Sequence, residues 1–320
     1  MVLESLSSLQ GAEKHPISLF FMAFIIASAA MMLAYRTFPE SSSVLSVAFV
    51  AVAFMPIIHA LFAQEETKEV DENDVPFAFI STHFDLIHMY TWIFIGLIAA
   101  YTFWFLVLPE TSTGCEGIGC LLPEKSKVFS EQRLVYGGIT GKVVGERECF
   151  NPGTKNFPDC FELIFTNNAW VMVLALVFSI VWGAGAIFLL AWNASVIGIF
   201  IGLEITSRSV EAGVVRAISY LPHGIPEIMA YFLAAIAGGI ISAAIAKKQF
   251  KPHEMRIVLV DTVLLIALAF VTLLIGAVIE TASILGYFDV ATVGIIAFAA
   301  LYFILYMPSV RHRVNTMRKA

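Results

Sequence analysis

Long apolar runs are the feature of this sequence that most restricts its fold. A bilayer core of about 30 Å is crossed by about 20 apolar residues in a helix. Only 14% of the 320 residues are charged, against about 25% in a soluble domain. We therefore predict an all-α polytopic membrane protein. The clear spans are residues 17–35, 44–63, 87–108, 169–192, 226–246, 258–283 and 290–308.

One further stretch, residues 194–221, is ambiguous. It begins with a short apolar run, and its second part carries Glu204, Arg208, Glu211 and Arg216. Glu204, Arg208 and Glu211 follow helical spacing, so they form one charged stripe. The stripe fits an interfacial amphipathic helix with internal ion pairs. It fits equally a helix that lines a polar cavity, because paired charges facing a cavity are tolerated at membrane depth.

Basic residues set the expected orientation. The positive-inside rule places the tail 311–320 and the loop after Lys247 in the cytoplasm. Residues 109–168 then face the outside only if 194–221 crosses the membrane once. We predict a multi-pass cell-membrane protein with about eight membrane segments, one of them broken or re-entrant. Both termini are predicted to be cytoplasmic.

The cysteines support an extracytoplasmic position for 109–168. All four lie in this segment, none of them in an expected helix: Cys115, Cys120, Cys149 and Cys160. Such clustering suits two disulfides on an oxidising face. Three pairings are possible, of which Cys115–Cys120 with Cys149–Cys160 is the most local. A zinc site is the weaker alternative, because no Cys-x-x-Cys pair occurs. The β-prone stretches 133–136 and 142–144 predict a small hairpin cap.

These features divide the chain into four regions. Residues 1–86 form an N-terminal two-helix unit with an acidic cytoplasmic loop. Residues 87–166 hold the third helix and the extracytoplasmic loop with the cysteines. Residues 167–310 form a helical core, and residues 311–320 form a basic cytoplasmic tail.

The run from Leu221 to Glu227 predicts a helix break, because two prolines flank Gly224. Pro226 suits the first turn of the next helix, and Glu227 is then favoured by the helix dipole. A lone histidine is usually structural. However, His223 beside a carboxylate at a break also resembles a proton or cation site. As metal ligands, His223 and Glu227 are weak candidates, since no third ligand is near in the sequence.

Two later features concern packing and charge. Residues Ala230, Ala234, Gly238 and Ser242 form a stripe that predicts close helix packing. Glu280 ends a later span among apolar neighbours and needs a partner or a cavity. The sequence offers three candidate partners: His223, Arg208 and Arg216.

A set of these residues resembles the stage II sporulation protein M family of integral membrane proteins. The set comprises Asn167-Asn168, Gly185, Asn193, the run Leu221–Glu227, the small-residue helix after it, and Ile279-Glu280. The resemblance covers roughly residues 167–285, so the first two helices and 109–168 look like additions. Pro226 stands where the family usually has an aromatic or aliphatic residue. In sporulating bacteria the resembled protein is a scaffold that recruits peptidoglycan-degrading partners during engulfment.

The resemblance implies a non-enzymatic membrane scaffold that recruits a partner at the extracytoplasmic cap. The alternative is an ion or small-solute channel or transporter around His223, Glu227 and Glu280. An enzyme is disfavoured because the usual catalytic motifs are missing from the spans. We expect no cofactor, contact with membrane lipid and a possible homodimer. The net charge of −6 disfavours nucleic-acid binding. The polar intramembrane site is predicted to comprise Asn167, Asn168, Asn193, Glu204, Arg208, His223, Gly224, Glu227 and Glu280.

Overall fold

The computed structural model describes residues 17–71, 78–111, 122–139, 156–207, 209–247 and 252–317. Within these ranges the chain is helical and contains no strand. A single turn of 3-10 helix, Pro39–Ser41, precedes the second helix. The helices are α1 (Ile17–Thr37), α2 (Ser42–Asp71), α3 (Ala78–Val107), α4 (Lys125–Val128), α5 (Ser130–Ile139), α6 (Phe157–Trp182), α7 (Ala186–Ser207), α8 (Val210–Lys247), α9 (Pro252–Leu285) and α10 (Phe288–Met317).

Eight of the described helices are long and apolar enough to cross a membrane, which confirms the predicted number and the all-helical membrane class. Which side of the membrane each terminus faces stays a prediction. The candidate spans are Ile17–Thr37, Pro39–Ala60, His83–Val107, Phe157–Trp182, Ala186–Ser207, Gly213–Ala246, Val258–Leu285 and Phe288–Leu305.

The predicted span 169–192 is wrong in its limits, because α6 ends at Trp182 and α7 begins at Ala186. Gly183 between them has a φ of 65°, in the left-handed region that glycine enters without a Cβ penalty. A Cβ at Gly183 would also collide with the ring of His59. Glycine is therefore needed at this turn for two reasons, its φ value and its close neighbour.

The start of α6 corrects two further predictions. The side chain of Asn156 caps the helix by accepting a hydrogen bond from the backbone N–H of Asp159, at 2.9 Å. Residues 157–168 consequently belong to a candidate membrane span and not to the outside loop. Cys160 lies in the helix and is buried, whereas a non-helical position was expected. Cys115, Cys120 and Cys149 lie outside the described residues, so the disulfides stay a prediction.

The predicted chain break at Leu221–Glu227 is also wrong, because α8 runs unbroken from Val210 to Lys247 through both prolines. Pro222 and Pro226 are four residues apart, so both missing N–H donors lie on one face and the rest of the helical ladder persists. The predicted segment 194–221 is therefore no single crossing. Its first part belongs to α7 and its second part begins α8.

The expected hairpin in the cap is not found at residues 133–136, which lie in α5. Its second predicted strand, 142–144, lies outside the described residues. Gln132 in α5 is completely buried, as are Val128 and Phe129 just before it. Burial of this face favours a helix, because a helix satisfies its own backbone N–H and C=O groups within the segment.

The chain divides into two compact units. Unit 1 comprises Met1–Pro56, Met89–Asn151 and Ile187–Tyr220, and unit 2 comprises Ile57–His88, Pro152–Ala186 and Leu221–Ala320. In unit 1, α1 and α3 pack closely at Gly96, and the indole N–H of Trp104 donates to the hydroxyl of Ser28 at 2.8 Å. In unit 2, the stripe on α8 is buried from Ala230 to Ile240, which bears out the predicted close packing.

Candidate functional site

Three polar side chains of α8 lie on one face in unit 2. His223, Glu227 and Tyr231 follow one another at four-residue intervals, which is one helical turn each. The unbroken helix is what aligns them, because a break at the prolines would have separated His223 from the other two. Tyr231 was not among the predicted site residues. Its spacing from Glu227 is the sequence signal that would have found it.

Helix α9 approaches this face at Gly276. A Cβ placed there would lie 3.0 Å from the Cγ of Glu227 and 3.3 Å from the Cβ of Pro226. A side chain at this position would therefore press on Glu227, which is why a small residue is needed. Glu280 follows Gly276 by one helical turn on the same face of α9.

The charge of Glu280 acts on the carboxyl group of Glu227. The Oε1 atom of Glu227 is buried and has no hydrogen-bond partner among the described residues. We call Glu227 and Glu280 the acid pair. His223 was one of the partners that the sequence offered for Glu280, and the two groups interact.

Two further residues flank the acid pair. The charge of Glu280 acts on His223, and the charges of both glutamates act on the hydroxyl of Tyr231. Tyr231 is buried, and its hydroxyl donates to the Oδ1 atom of Asn168 on α6 at 3.1 Å. Three helices, α6, α8 and α9, thus contribute polar side chains to one region of unit 2.

The other predicted site residues are placed as follows. Asn167 is exposed and donates to Asn168 at 3.3 Å. A Cβ added at Gly224 would have no atom within 4 Å. Asn193 and Glu204 belong to unit 1, where Asn193 donates to the backbone oxygen of Leu189 in its own helix. Arg208 lies outside the described residues.

A metal site is not supported in the part of the chain that the structure describes. No three histidine, cysteine, aspartate or glutamate side chains are placed there to share an ion. Among the described residues, His223 and Glu227 therefore have no third ligand placed to share an ion with them.

A second buried polar cluster lies in unit 1 and was missed by the sequence reasoning. The hydroxyl of Ser43 donates to the Oε1 atom of Gln132 at 2.6 Å, and the Nε2 atom of Gln132 donates to the hydroxyl of Ser195 at 3.2 Å. All three side chains are buried. We call them the glutamine anchor, because they attach α5 to α2 and α7. The sequence does not indicate this cluster, because a single glutamine in a polar segment is usually exposed.

Ion pairs surround the glutamine anchor at the surface of unit 1. Arg133 forms a two-point ion pair with Glu110, and both Arg133 and Lys125 lie over the ring of Phe105. The hydrogen bond from Arg133 lowers the pKa of Glu110, whereas desolvation lowers the pKa of Lys125. Lys127 pairs with Glu40 at 2.7 Å. These exposed pairs contribute little stability each.

Replacing Tyr231 with phenylalanine tests the contact between α8 and α6. We expect a loss of about 0.5–1 kcal/mol, because one interhelical hydrogen bond at membrane depth contributes on this order. Thermal unfolding in detergent measures the change. Tyr287→Phe is the matched control, since Tyr287 is exposed. Equal unfolding temperatures for wild type and Tyr231→Phe would contradict the prediction.

The comparison with known families decides the assignment. The sequence matches the family "Stage II sporulation protein M" over residues 17–283, most of the chain. The chain belongs to this family. The family match begins at α1 and includes 109–168 within its limits. The expectation that the first two helices and this segment are additions is therefore wrong. No curated protein and no solved structure matches the chain.

Proposed function

We propose that this member of the stage II sporulation protein M family is a non-enzymatic membrane scaffold. Its partner-binding surface is the segment between α3 and α6, which contains α4 and α5. The positive-inside rule and the cysteines favour an extracytoplasmic location for this segment. A scaffold of this kind holds a protein partner outside the bilayer in a fixed position relative to the membrane helices.

The glutamine anchor is the observation that carries this proposal. A segment that only connects two membrane helices needs no buried hydrogen bonds to the bundle. Here α5 inserts a completely buried glutamine between Ser43 and Ser195. Because unsatisfied buried polar groups are costly, this contact holds α5 in one position, and a partner bound to α5 is held with it.

The outer face of α5 offers a contact surface. Leu134 is 55% exposed and Val135 is 37% exposed, although both are large apolar residues. Glu131 is exposed beside them. An apolar centre with a charged rim is the usual composition of a protein-binding surface. The partner expected here is a protein with a complementary apolar patch.

A photo-crosslinking residue at position 134 tests the scaffold in native membranes. We expect a discrete adduct with another protein. The adduct should disappear in Gln132→Ala, which removes the hydrogen bonds that attach α5 to Ser43 and Ser195. The control position is Val293 on α10, which is 66% exposed in a candidate span.

Three outcomes would contradict the proposal. The first is the absence of a protein adduct at position 134, and the second is the same adduct at both positions. In the third outcome, an adduct of twice the chain mass would assign the surface to a second copy of this chain rather than to a different partner.

A second candidate function is an ion or small-solute path. The acid pair favours it, since intramembrane carboxyl groups often mark such paths. A flux assay in proteoliposomes comparing wild type with Glu280→Gln separates the two functions. Equal flux in both proteins would show that the Glu280 carboxyl group does not control the flux.

A further inference from the structure

The first turns of α9 carry an open groove on the surface of unit 2, with a volume of about 440 Å³. Its lining residues form two neighbouring rows with four-residue intervals, and rows of this spacing on a helix are separated by a groove. We call it the α9 groove. The residues that line it are Met255, Arg256, Leu259, Val260, Val263 and Leu264.

Two faces of α9 differ in this part of the helix. Val258 and Leu265 are buried, whereas Val260 and Val263 in the groove are 50% and 63% exposed. The exposed pair lies in the candidate span Val258–Leu285, where the surrounding medium is hydrocarbon. The occupant of the α9 groove must therefore be apolar along most of its length.

The length of the groove matches the depth of one lipid leaflet. From Met255 to Leu264 a helix rises about 14 Å. The hydrocarbon of one leaflet is about 15 Å thick, which is half of a bilayer core of about 30 Å. The groove therefore extends from the edge of the hydrocarbon towards the bilayer midplane, as one acyl chain does.

Arg256 lies at the polar end of the groove. It is exposed and precedes the candidate span Val258–Leu285 by two residues, which places it at the depth of the lipid phosphates. A guanidinium binds a phosphate through two parallel hydrogen bonds. Asp261 is half-buried and does not line the groove. Residues 247–256 contain four basic residues and one acidic residue, and such a segment beside a span attracts anionic headgroups.

We propose that the α9 groove binds one acyl chain of an anionic phospholipid, whose phosphate group is held by Arg256. The chain lies between the two rows of apolar side chains, and its burial there stabilises the complex. By the positive-inside rule, the lipid belongs to the cytoplasmic leaflet. This inference goes beyond the scaffold function and does not depend on it.

Crosslinking from the lipid tests the proposal on the full-length protein. The probe is phosphatidylglycerol with a diazirine in one acyl chain, added at a low fraction to phosphatidylcholine vesicles that contain the protein. We expect mass spectrometry to find adducts concentrated between Met255 and Leu264. Few are expected at Val293, which is 66% exposed in another candidate span. Excess unlabelled phosphatidylglycerol should remove the groove adducts, whereas added phosphatidylcholine or soluble glycerol phosphate should not.

Two pairs of variants separate this site from general attraction to the membrane surface. The quantity compared is the fraction of all adducts that lies in the groove. Arg256→Gln should lower this fraction about 5-fold, which corresponds to about 1 kcal/mol. Lys248→Gln removes the same charge from the preceding segment and should lower total labelling without changing the fraction. Val263→Trp should lower the fraction by filling the groove, and Val293→Trp is its control.

Several results would overturn the proposal. They are adducts spread evenly over the exposed positions of the spans, an unchanged fraction in Arg256→Gln or Val263→Trp, and an equal decrease in Lys248→Gln. Competition by phosphatidylcholine would show a groove without preference for anionic lipid. Competition by glycerol phosphate would show an anion site without an acyl chain, and either result contradicts the proposal. Crosslinking at position 134 would be unaffected, so the two proposals fail separately.

Discussion

Replacing Gly238 with leucine is expected to prevent accumulation of the folded protein. A Cβ at this position would lie 2.5 Å from the backbone oxygen of Leu176, 2.6 Å from the Cβ of Ser179 and 3.1 Å from the backbone nitrogen of Ile180. Two of these atoms belong to the backbone of α6, which cannot move without shifting the whole helix. Even a methyl group should cost about 1–3 kcal/mol by overpacking, and a leucine side chain should cost more.

Size-exclusion chromatography of a fluorescent fusion, followed by thermal unfolding, measures this effect. Gly238→Ala should show a lower unfolding temperature, and Gly238→Leu should show little or no monodisperse protein. Gly224 supplies the control on the same helix, because a Cβ added there would have no atom within 4 Å. Gly224→Ala should leave stability unchanged or slightly raised. Normal folding of Gly238→Leu would disprove the close contact between α8 and α6.

The second large effect is expected for Gln132→Ala. The substitution removes the acceptor for the Ser43 hydroxyl, 2.6 Å away, and the donor to the Ser195 hydroxyl. The Ser195 hydroxyl keeps its hydrogen bond to the backbone oxygen of Trp192, but the Ser43 hydroxyl loses its acceptor. Leaving it buried without one costs about 1–3 kcal/mol, and the missing side chain adds a cavity. We expect a clear drop in unfolding temperature. Loss of the protein adduct formed from position 134 should follow, because α5 is no longer fixed.

Glu131→Ala provides the matched control for the glutamine anchor. Glu131 is the preceding residue of α5 and its side chain is exposed, so its removal should change stability by less than about 0.5 kcal/mol. A variant Gln132→Ala that unfolds at the wild-type temperature would show that α5 is not attached through this residue. In that case the scaffold proposal would lose its main support.

Hydropathy was sufficient to predict the membrane class and the number of spans, because a run of about 20 apolar residues is long enough to cross the bilayer as a helix. It could not predict where the helices end. The start of α6 depends on the cap at Asn156, and its end depends on Gly183, whose φ value is imposed by the turn. The first is a side-chain hydrogen bond and the second is a backbone conformation, and mean hydropathy over about 20 residues detects neither.

The prolines of α8 show a different limit. Pro222 and Pro226 flanking a glycine are typical of a chain break in soluble proteins, and this interpretation was wrong. Within a membrane the cost of exposing unpaired backbone groups is high, so a helix persists through prolines when its neighbours support it. The sequence alone does not reveal those neighbours.

The acid pair could be predicted only in part. Glu227 and Glu280 stood out as carboxyl groups within apolar segments, which marks a polar cluster. Their interaction could not be predicted, because ordinary charge complementarity favours a cationic partner for each. Gly276 lets α9 lie close to Glu227, since a Cβ there would be 3.0 Å from the Cγ of Glu227. Tyr231 was missed because tyrosine is unremarkable in a membrane helix.

The division into two units has a practical consequence for anyone who wishes to dissect this protein. The chain passes from one unit to the other after Pro56, His88, Asn151, Ala186 and Tyr220. Four of these points lie inside helices, in α2, α3, α7 and α8. No contiguous gene fragment therefore encodes either half. Truncated or split versions of this protein would sever continuous helices, so experiments on it need the intact polypeptide.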